Sequence, residues 1–206
     1  LRCVDVATDA VRWEHAHESG DFLCRPIFAP DLGLVIAIEA THVERFHLYR
    51  GRYPSANCEA LVALDVKTGQ VRWRLPIDPK MADLSLVHPD SPWEDGKWSK
   101  SGKRIHAISY YDGRVFCLDA NDANGGKPAS IWAVDAREGR TAWVNICSPP
   151  GAGGSMFDMY LLPDGSIFTY GHTWARMDQK TGSLVAYGGT GGNARCDTGA
   201  ATVNLV

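Results

Sequence analysis

Ala63-Leu64-Asp65-Val66-Lys67-Thr68-Gly69-Gln70-Val71-Arg72-Trp73 holds the key to this chain. An apolar run ends at Asp65, a D-x-x-T-G turn follows, and Val71, Trp73 and Leu75 then alternate onto one face, so the stretch predicts a β-hairpin. Gly69 supplies the positive φ such a turn requires, and the Asp65 carboxylate is placed to accept hydrogen bonds from turn amides. The unit recurs. Cys3 to Trp13 matches it position for position; Ala133-Val134-Asp135 leads through Gly139 to Trp143; and Arg176-Met177-Asp178 leads to Gly182, with Ala186 in the tryptophan position. Self-similarity of this kind marks a repeat architecture. A carboxylate recurring at every turn serves the turn, so Asp65, Gly69, Asp135, Gly139, Asp178 and Gly182 are read as structural. Trp13, Trp73 and Trp143 are read as residues that dock one unit on the next, each burying on the order of 200 Å².

A second hairpin precedes each complete copy. Phe22–Pro30 and Gly33–Glu39 flank Pro30-Asp31-Leu32-Gly33; Ile105–Tyr111 and Arg114–Asp119 flank Asp112-Gly113; Phe157–Leu162 and Ser166–Tyr170 flank Pro163-Asp164-Gly165. Each unit therefore has four antiparallel strands, A to D.

The pattern A-x-D-x-x-T-G-x-x-x-W resembles the repeat of the pyrroloquinoline-quinone-like β-propeller family, in its bacterial exported type, and the resemblance runs from end to end of the chain. It implies an all-β fold of four-stranded antiparallel blades with strand A nearest the ring axis. Residues 1–15 form strands C and D of one blade, 21–75, 104–146 and 156–188 form three full blades, and 200–206 form the first strand of another. Propellers close with about four to eight blades, so three full blades and parts of two others make an incomplete ring. The remaining blades are expected from further sequence or from another chain.

Composition narrows the class. With 45% hydrophobic and 22% charged residues and a net charge of -3, the chain reads as globular. The most apolar run, Leu32 to Ile38, is short and interrupted by Gly33, so no membrane span is expected. Charge is spread without a basic run, which argues against nucleic acid as a partner. Six cysteines show no C-x-x-C spacing. Cys3 and Cys117 are expected in the core; Cys58 and Cys196, read as loop residues, are the better disulfide candidates.

Repeat spacing locates the insertions. The turn aspartates are 60, 70 and 43 residues apart, whereas a compact blade needs about 40 to 45. Steps of 32, 22 and 13 residues from Gly33, Gly113 and Gly165 to the next turn Asp place insertions between strands B and C of the first two full blades. Another, about Pro76 to Lys103, joins strand D of one blade to strand A of the next. In an up-and-down blade the B-to-C and D-to-A connections leave one face of the ring, and the tight A-to-B and C-to-D turns leave the other. Residues 40–58, 77–103, 121–129 and 147–155 are thus expected on one face, with the turns at Asp31, Lys67, Asp112, Glu138, Asp164 and Lys180 on the opposite one. Long loops on a rigid scaffold are where binding usually resides.

The segment Thr41 to Tyr53 mixes aromatic and guanidinium groups, making Tyr49, Arg50, Arg52 and Tyr53 candidates for contact with a planar or acidic ligand. His88, Trp93 and Trp98 are candidates in the D-to-A insertion, and His172 at a short B-to-C turn. No metal is predicted: His15 with His17, and His42 with His47, lack the spacing of known ligand motifs. Gly188 to Gly192 resembles a phosphate loop but opens no helix beginning Lys-Ser/Thr, so it is read as an interblade loop.

Two function classes follow from the resemblance. The first is a non-catalytic scaffold or binding module, outside the cytoplasm and envelope-associated, whose long-loop face holds a protein, polymer or envelope partner, with no cofactor. The alternative is part of a quinoprotein dehydrogenase holding pyrroloquinoline quinone and calcium and oxidising alcohols or sugars. The adjacent-cysteine disulfide frequent in those enzymes has no counterpart here, and no catalytic residue can be carried over.

Overall fold

The computed structural model describes residues 1–16, 22–44, 55–77, 105–119, 130–146, 156–171 and 174–188. Strands β1 (Arg2–Val4) and β2 (Val11–Glu14) form a two-stranded half-blade. Three four-stranded antiparallel sheets follow. Blade 1 holds β3 (Phe22–Ala29), β4 (Leu34–Glu44), β5 (Ser55–Asp65) and β6 (Val71–Pro76); blade 2 holds β7 (Ile105–Tyr111), β8 (Arg114–Asp119), β9 (Ser130–Asp135) and β10 (Arg140–Ile146). Blade 3 holds β11 (Met156–Leu161), β12 (Ser166–Gly171), β13 (Trp174–Asp178) and β14 (Leu184–Gly188). Within each sheet, neighbours in sequence are neighbours in space. Innermost strands β3, β7 and β11 lie side by side around the axis, and the ring is not closed.

Both faces of a middle blade are covered, which explains the continuous apolar runs. Leu61, Val62, Ala63 and Leu64 are all 0% exposed, because alternate side chains enter different interblade cores. Val62 and Leu64, with Ala37, face the half-blade beneath Leu1 and Trp13. Leu61 and Ala63, with Ile36 and Ile38, face blade 2 against Val115, Cys117 and Val134. Phe116, Leu118, Ile131 and Ala133 in turn face blade 3 against Ile167, Ala175 and Met177. Each buried Leu or Ile contributes about 1.5–3 kcal/mol, so the stack is held by repeated apolar seams.

Two sequence readings need correction. The insertion after strand B of blade 1 is not all loop: β4 and β5 run to 11 residues each, with Thr41 opposite Asn57 and Glu44 opposite Ser55. Its two arms, one carrying the β-branched Thr41 and Val43, continue the ladder. Cys58 accordingly lies within β5, 2% exposed and outside any disulfide, rather than in a loop.

Candidate functional site

The turn aspartates are committed to their own backbone. Asp65 Oδ1 accepts from the amides of Lys67 (2.9 Å) and Thr68 (3.0 Å), while Arg72 Nη2 donates to Oδ2 at 2.7 Å. Asp135 accepts from Arg137 and Glu138, and Asp178 from Lys180 and Thr181, in the same way. In the half-blade, Asp5 accepts from Ala7 and pairs with Arg12. The Arg72 guanidinium and the Thr68 amide hold the Asp65 carboxyl down at about 2. The Asp178 carboxyl is lowered chiefly by the Thr181 amide. Each of these carboxylates shapes its own turn.

Beside the C-to-D turn of each complete blade lies an indole from the preceding unit. Trp13 Nε1 donates to the Val66 carbonyl (2.9 Å), Trp73 Nε1 to that of Ala136 (2.8 Å) and Trp143 Nε1 to that of Gln179 (3.3 Å). The rings cover Gly69, Gly139 and Gly182, where a Cβ would approach the indole to 2.6, 2.5 and 2.5 Å. These glycines therefore meet two demands, a positive φ and bare backbone under a ring. Further bonds cross the seams: Tyr110 Oη donates to both Asp31 oxygens at 2.6 and 2.7 Å, and Arg114 Nη1 to the carbonyls of Gln179 (2.9 Å) and Lys180 (2.6 Å). Sequence reasoning missed both, since the partners are 79 and about 65 residues apart.

The turns assemble at one end of every complete blade. Val66 donates its amide to the Gly33 carbonyl, Ala136 to Gly113 and Gln179 to Gly165, each at 2.9 Å, which ties the C-to-D turn to the A-to-B turn of the same blade. Strand ends Glu44 and Ser55, Asp119 and Ser130, and Pro76 and Ile105 lie at the other end. Candidates Tyr49, Arg50, Arg52, Tyr53, His88, Trp93, Trp98 and His172 lie outside the described residues, as does Cys196. At the turn end, a shallow polar cleft of about 320 Å³ opens between blades 1 and 2, lined by Asp31, Leu32, Asp112, Gly113, Arg114, Asp135 and Arg137. Among the described residues no three His, Cys, Asp or Glu side chains converge as a metal would need, and no helix is long and apolar enough to cross a membrane.

No family model matches the sequence, and no curated protein does. Solved structures do. The quinohemoprotein alcohol dehydrogenase from Comamonas testosteroni matches 90% of this chain and 31% of its own, with a TM-score of 0.57 at 15% identity. The chain is a segment of a β-propeller. BamB from Moraxella catarrhalis matches with a TM-score of 0.48 at 12% identity, covering 87% of this chain and 40% of BamB. A europium-containing methanol dehydrogenase matches with 0.45 at 15%, covering 79% and 23%. This propeller segment thus spans less than half the length of each structure, and at such identities the likeness is one of fold.

Proposed function

We propose that this propeller segment belongs to a non-catalytic scaffold, extracytoplasmic and envelope-associated, which holds a protein or polymer partner on the face bearing its long connections. The supporting observation is the segregation of connections: tight turns are tied together at one end of each blade, and the connections 45–54, 78–104, 120–129 and 147–155 start from strand ends at the other. Tyr, Trp and Arg dominate binding hot spots, and Tyr49, Arg50, Arg52, Tyr53, Trp93 and Trp98 belong to those connections, with His88; His172 belongs to the short connection 172–173 that leaves the same end. A quinone with calcium would need converging free carboxylates. The turn aspartates are instead bound to their own amides at the opposite end, so no described residue is assigned to such a group.

Two measurements test this reading. Immobilised chain is challenged with a detergent-solubilised bacterial envelope fraction and with peptidoglycan; Arg52→Ala, Tyr53→Ala and Trp98→Ala should lose retention. Lys67→Ala and Lys180→Ala, on the turn face, should retain it, since exposed turn residues change stability by about 0.5 kcal/mol or less. Equal loss from both sets would move function away from the long connections. In parallel, the chain is mixed with pyrroloquinoline quinone and calcium and desalted. Stoichiometric quinone absorbance would replace the scaffold reading with the oxidoreductase one.

A further inference from the structure

The sequence holds three Asp-Gly pairs, the dipeptide in which a backbone amide most readily attacks the preceding carboxyl, because glycine puts no side chain in the path. Asp95-Gly96 lies outside the described residues. The other two form a matched comparison at the A-to-B turns of blades 2 and 3. Gly113 and Gly165 have φ of +74° and +81°, and an added Cβ on either would meet nothing within 4 Å. Each carbonyl accepts one amide from the C-to-D turn of its own blade, Ala136 for Gly113 and Gln179 for Gly165, both at 2.9 Å. Each glycine amide donates to one oxygen, Gly113 to Tyr110 Oη at 3.2 Å and Gly165 to the Leu162 carbonyl at 3.1 Å.

The carboxylates differ. Asp164 is held three times: Oδ1 accepts from the Ser166 amide (2.9 Å) and hydroxyl (2.5 Å), and Oδ2 from Arg176 Nη2 (2.6 Å). Asp112 is exposed, and among the described residues no hydrogen bond or ion pair holds its carboxylate. Turn geometry explains the contrast. Tyr111 pairs with Arg114 across a loop of two left-handed residues, Asp112 at φ +46° and Gly113 at +74°. Such a loop selects Asp-Gly for its conformation and offers the side chain no donor. Asp112 and Gly113 both line the open cleft between blades 1 and 2, where water reaches them.

We propose that Asp112-Gly113 is a site of spontaneous isoaspartate formation in the folded protein, and that the conversion loosens the seam between blades 1 and 2. The Gly113 nitrogen bonds to Asp112 Cγ, one Cγ–O bond breaks, and that oxygen leaves as water, carrying the proton of the carboxylic acid and the proton of the amide. Water then opens the cyclic imide. Opening at the former main-chain carbonyl leaves the chain running through Cβ and Cγ, one atom longer, with a free α-carboxylate. The lengthened link displaces Gly113, whose amide donates to Tyr110 Oη and whose carbonyl accepts from Ala136. Tyr110 bonds Asp31 of blade 1, and the Ala136 carbonyl receives the Trp73 indole, so both contacts that cross from blade 1 are disturbed together. The site lies on the turn face and is independent of what the long connections bind.

Ageing the full chain at neutral pH in water enriched in heavy oxygen, followed by tryptic digestion in ordinary water, tests this. The peptide Ile105–Arg114 holds Asp112 and no other Asp or Asn; Asp164 falls in Thr141–Arg176, where fragmentation locates it. Every imide that opens takes up one heavy oxygen, and electron-transfer fragmentation separates isoaspartate from aspartate. In the native chain Asp112 should convert about tenfold faster than Asp164 or more, because the charge-assisted bonds of Asp164 must break first. In urea, where both carboxylates are free, the two rates should converge. Asp112→Gly cannot form the imide and suits the left-handed turn. Aged beside the wild type, this variant should keep its urea midpoint while that of the wild type falls in step with its isoaspartate content. Absence of isoaspartate at Asp112 in the native chain, equal native rates at Asp112 and Asp164, a gap that persists in urea, or a wild-type midpoint that stays level as Asp112 converts would each overturn the proposal.

Discussion

The indole of Trp73 lies so close over Gly139 that a Cβ on that glycine would be 2.5 Å from Cδ2. The contact crosses from blade 1 to blade 2, and it is closed by the bond from Trp73 Nε1 to the Ala136 carbonyl. Gly139→Ala therefore combines two penalties, backbone strain at φ +68° and collision with the ring. Gly113→Ala is the control: its φ is +74°, but an added Cβ meets nothing within 4 Å. The control should cost about 1–2 kcal/mol, the price of a left-handed alanine, and Gly139→Ala should cost about 1–3 kcal/mol more from overpacking. Urea denaturation of both measures the gap. Equal losses would show that the ring yields freely.

Trp143 is 6% exposed, with its ring 6.0 Å from that of Phe116. Trp143→Ala should destabilise by about 3–5 kcal/mol. Trp73, half-buried, should fall at the lower end of that range. Trp73→Phe keeps a ring over Gly139 but leaves the Ala136 carbonyl without its donor, which should cost about 1 kcal/mol. A melting temperature for Trp143→Ala equal to wild type would remove the indole from the account of what joins the blades.

The blade order was legible because each D-x-x-T-G turn, from Asp65 to Gly69 for example, marks a hairpin by local chemistry alone. The second demand on Gly69 was not legible, since the ring that covers it belongs to Trp13, far away in sequence; local rules explain the positive φ and are silent on the bare backbone. Cys58 was misread for a different reason. The stretch that follows Glu39 is polar enough to pass for loop, yet residues 40–44 pair with 55–58 and carry Cys58 into β5. Tyr110 and Asp31 gave no signal, because a tyrosine ending an apolar strand looks the same whether or not a carboxylate from the previous blade meets its hydroxyl. Candidates such as Arg52 and Trp98 lie outside the described residues, so the proposed binding face rests on the parity of the strands.

Acid should weaken the turns. The Asp65 carboxyl is held at about 2 by Arg72 and the Thr68 amide, below its ordinary value of 3.8. A group whose folded pKa is depressed contributes stability that is complete above the unfolded pKa, near pH 4, and is lost as pH falls towards 2. Asp65→Asn keeps a side-chain oxygen for the turn amides but loses the charge that Arg72 requires. The stability gap between wild type and Asp65→Asn should thus be widest at neutral pH and shrink between pH 4 and pH 2. Urea melts at pH 7, 4 and 2.5 measure it, and a gap that grows with acid would reverse the sign assigned to the carboxylate.

Alkali should act on the seam between blades 1 and 2. Burial, and then the bond to the Asp31 carboxylate, push the Tyr110 phenol up to about 12 from its ordinary value of 10. Here the folded pKa is raised, so the contribution is complete below pH 10 and is lost as pH rises from 10 to 12. A deprotonated Tyr110 would set a phenolate against a carboxylate at 2.6–2.7 Å, with no proton left to share. Phenolate absorbance during a pH titration of the native protein, taken as a difference from Tyr110→Phe, isolates this one group. It should appear near pH 12 in the wild type. Asp31→Asn should shift it down only in part, because burial, the larger cause, remains. Stability should follow the same course: Tyr110→Phe should be less stable than wild type at pH 8, and the difference should narrow above pH 10. Ionisation of Tyr110 near pH 10 in the native protein would mean that this hydroxyl faces water and that Asp31 does not join the two blades.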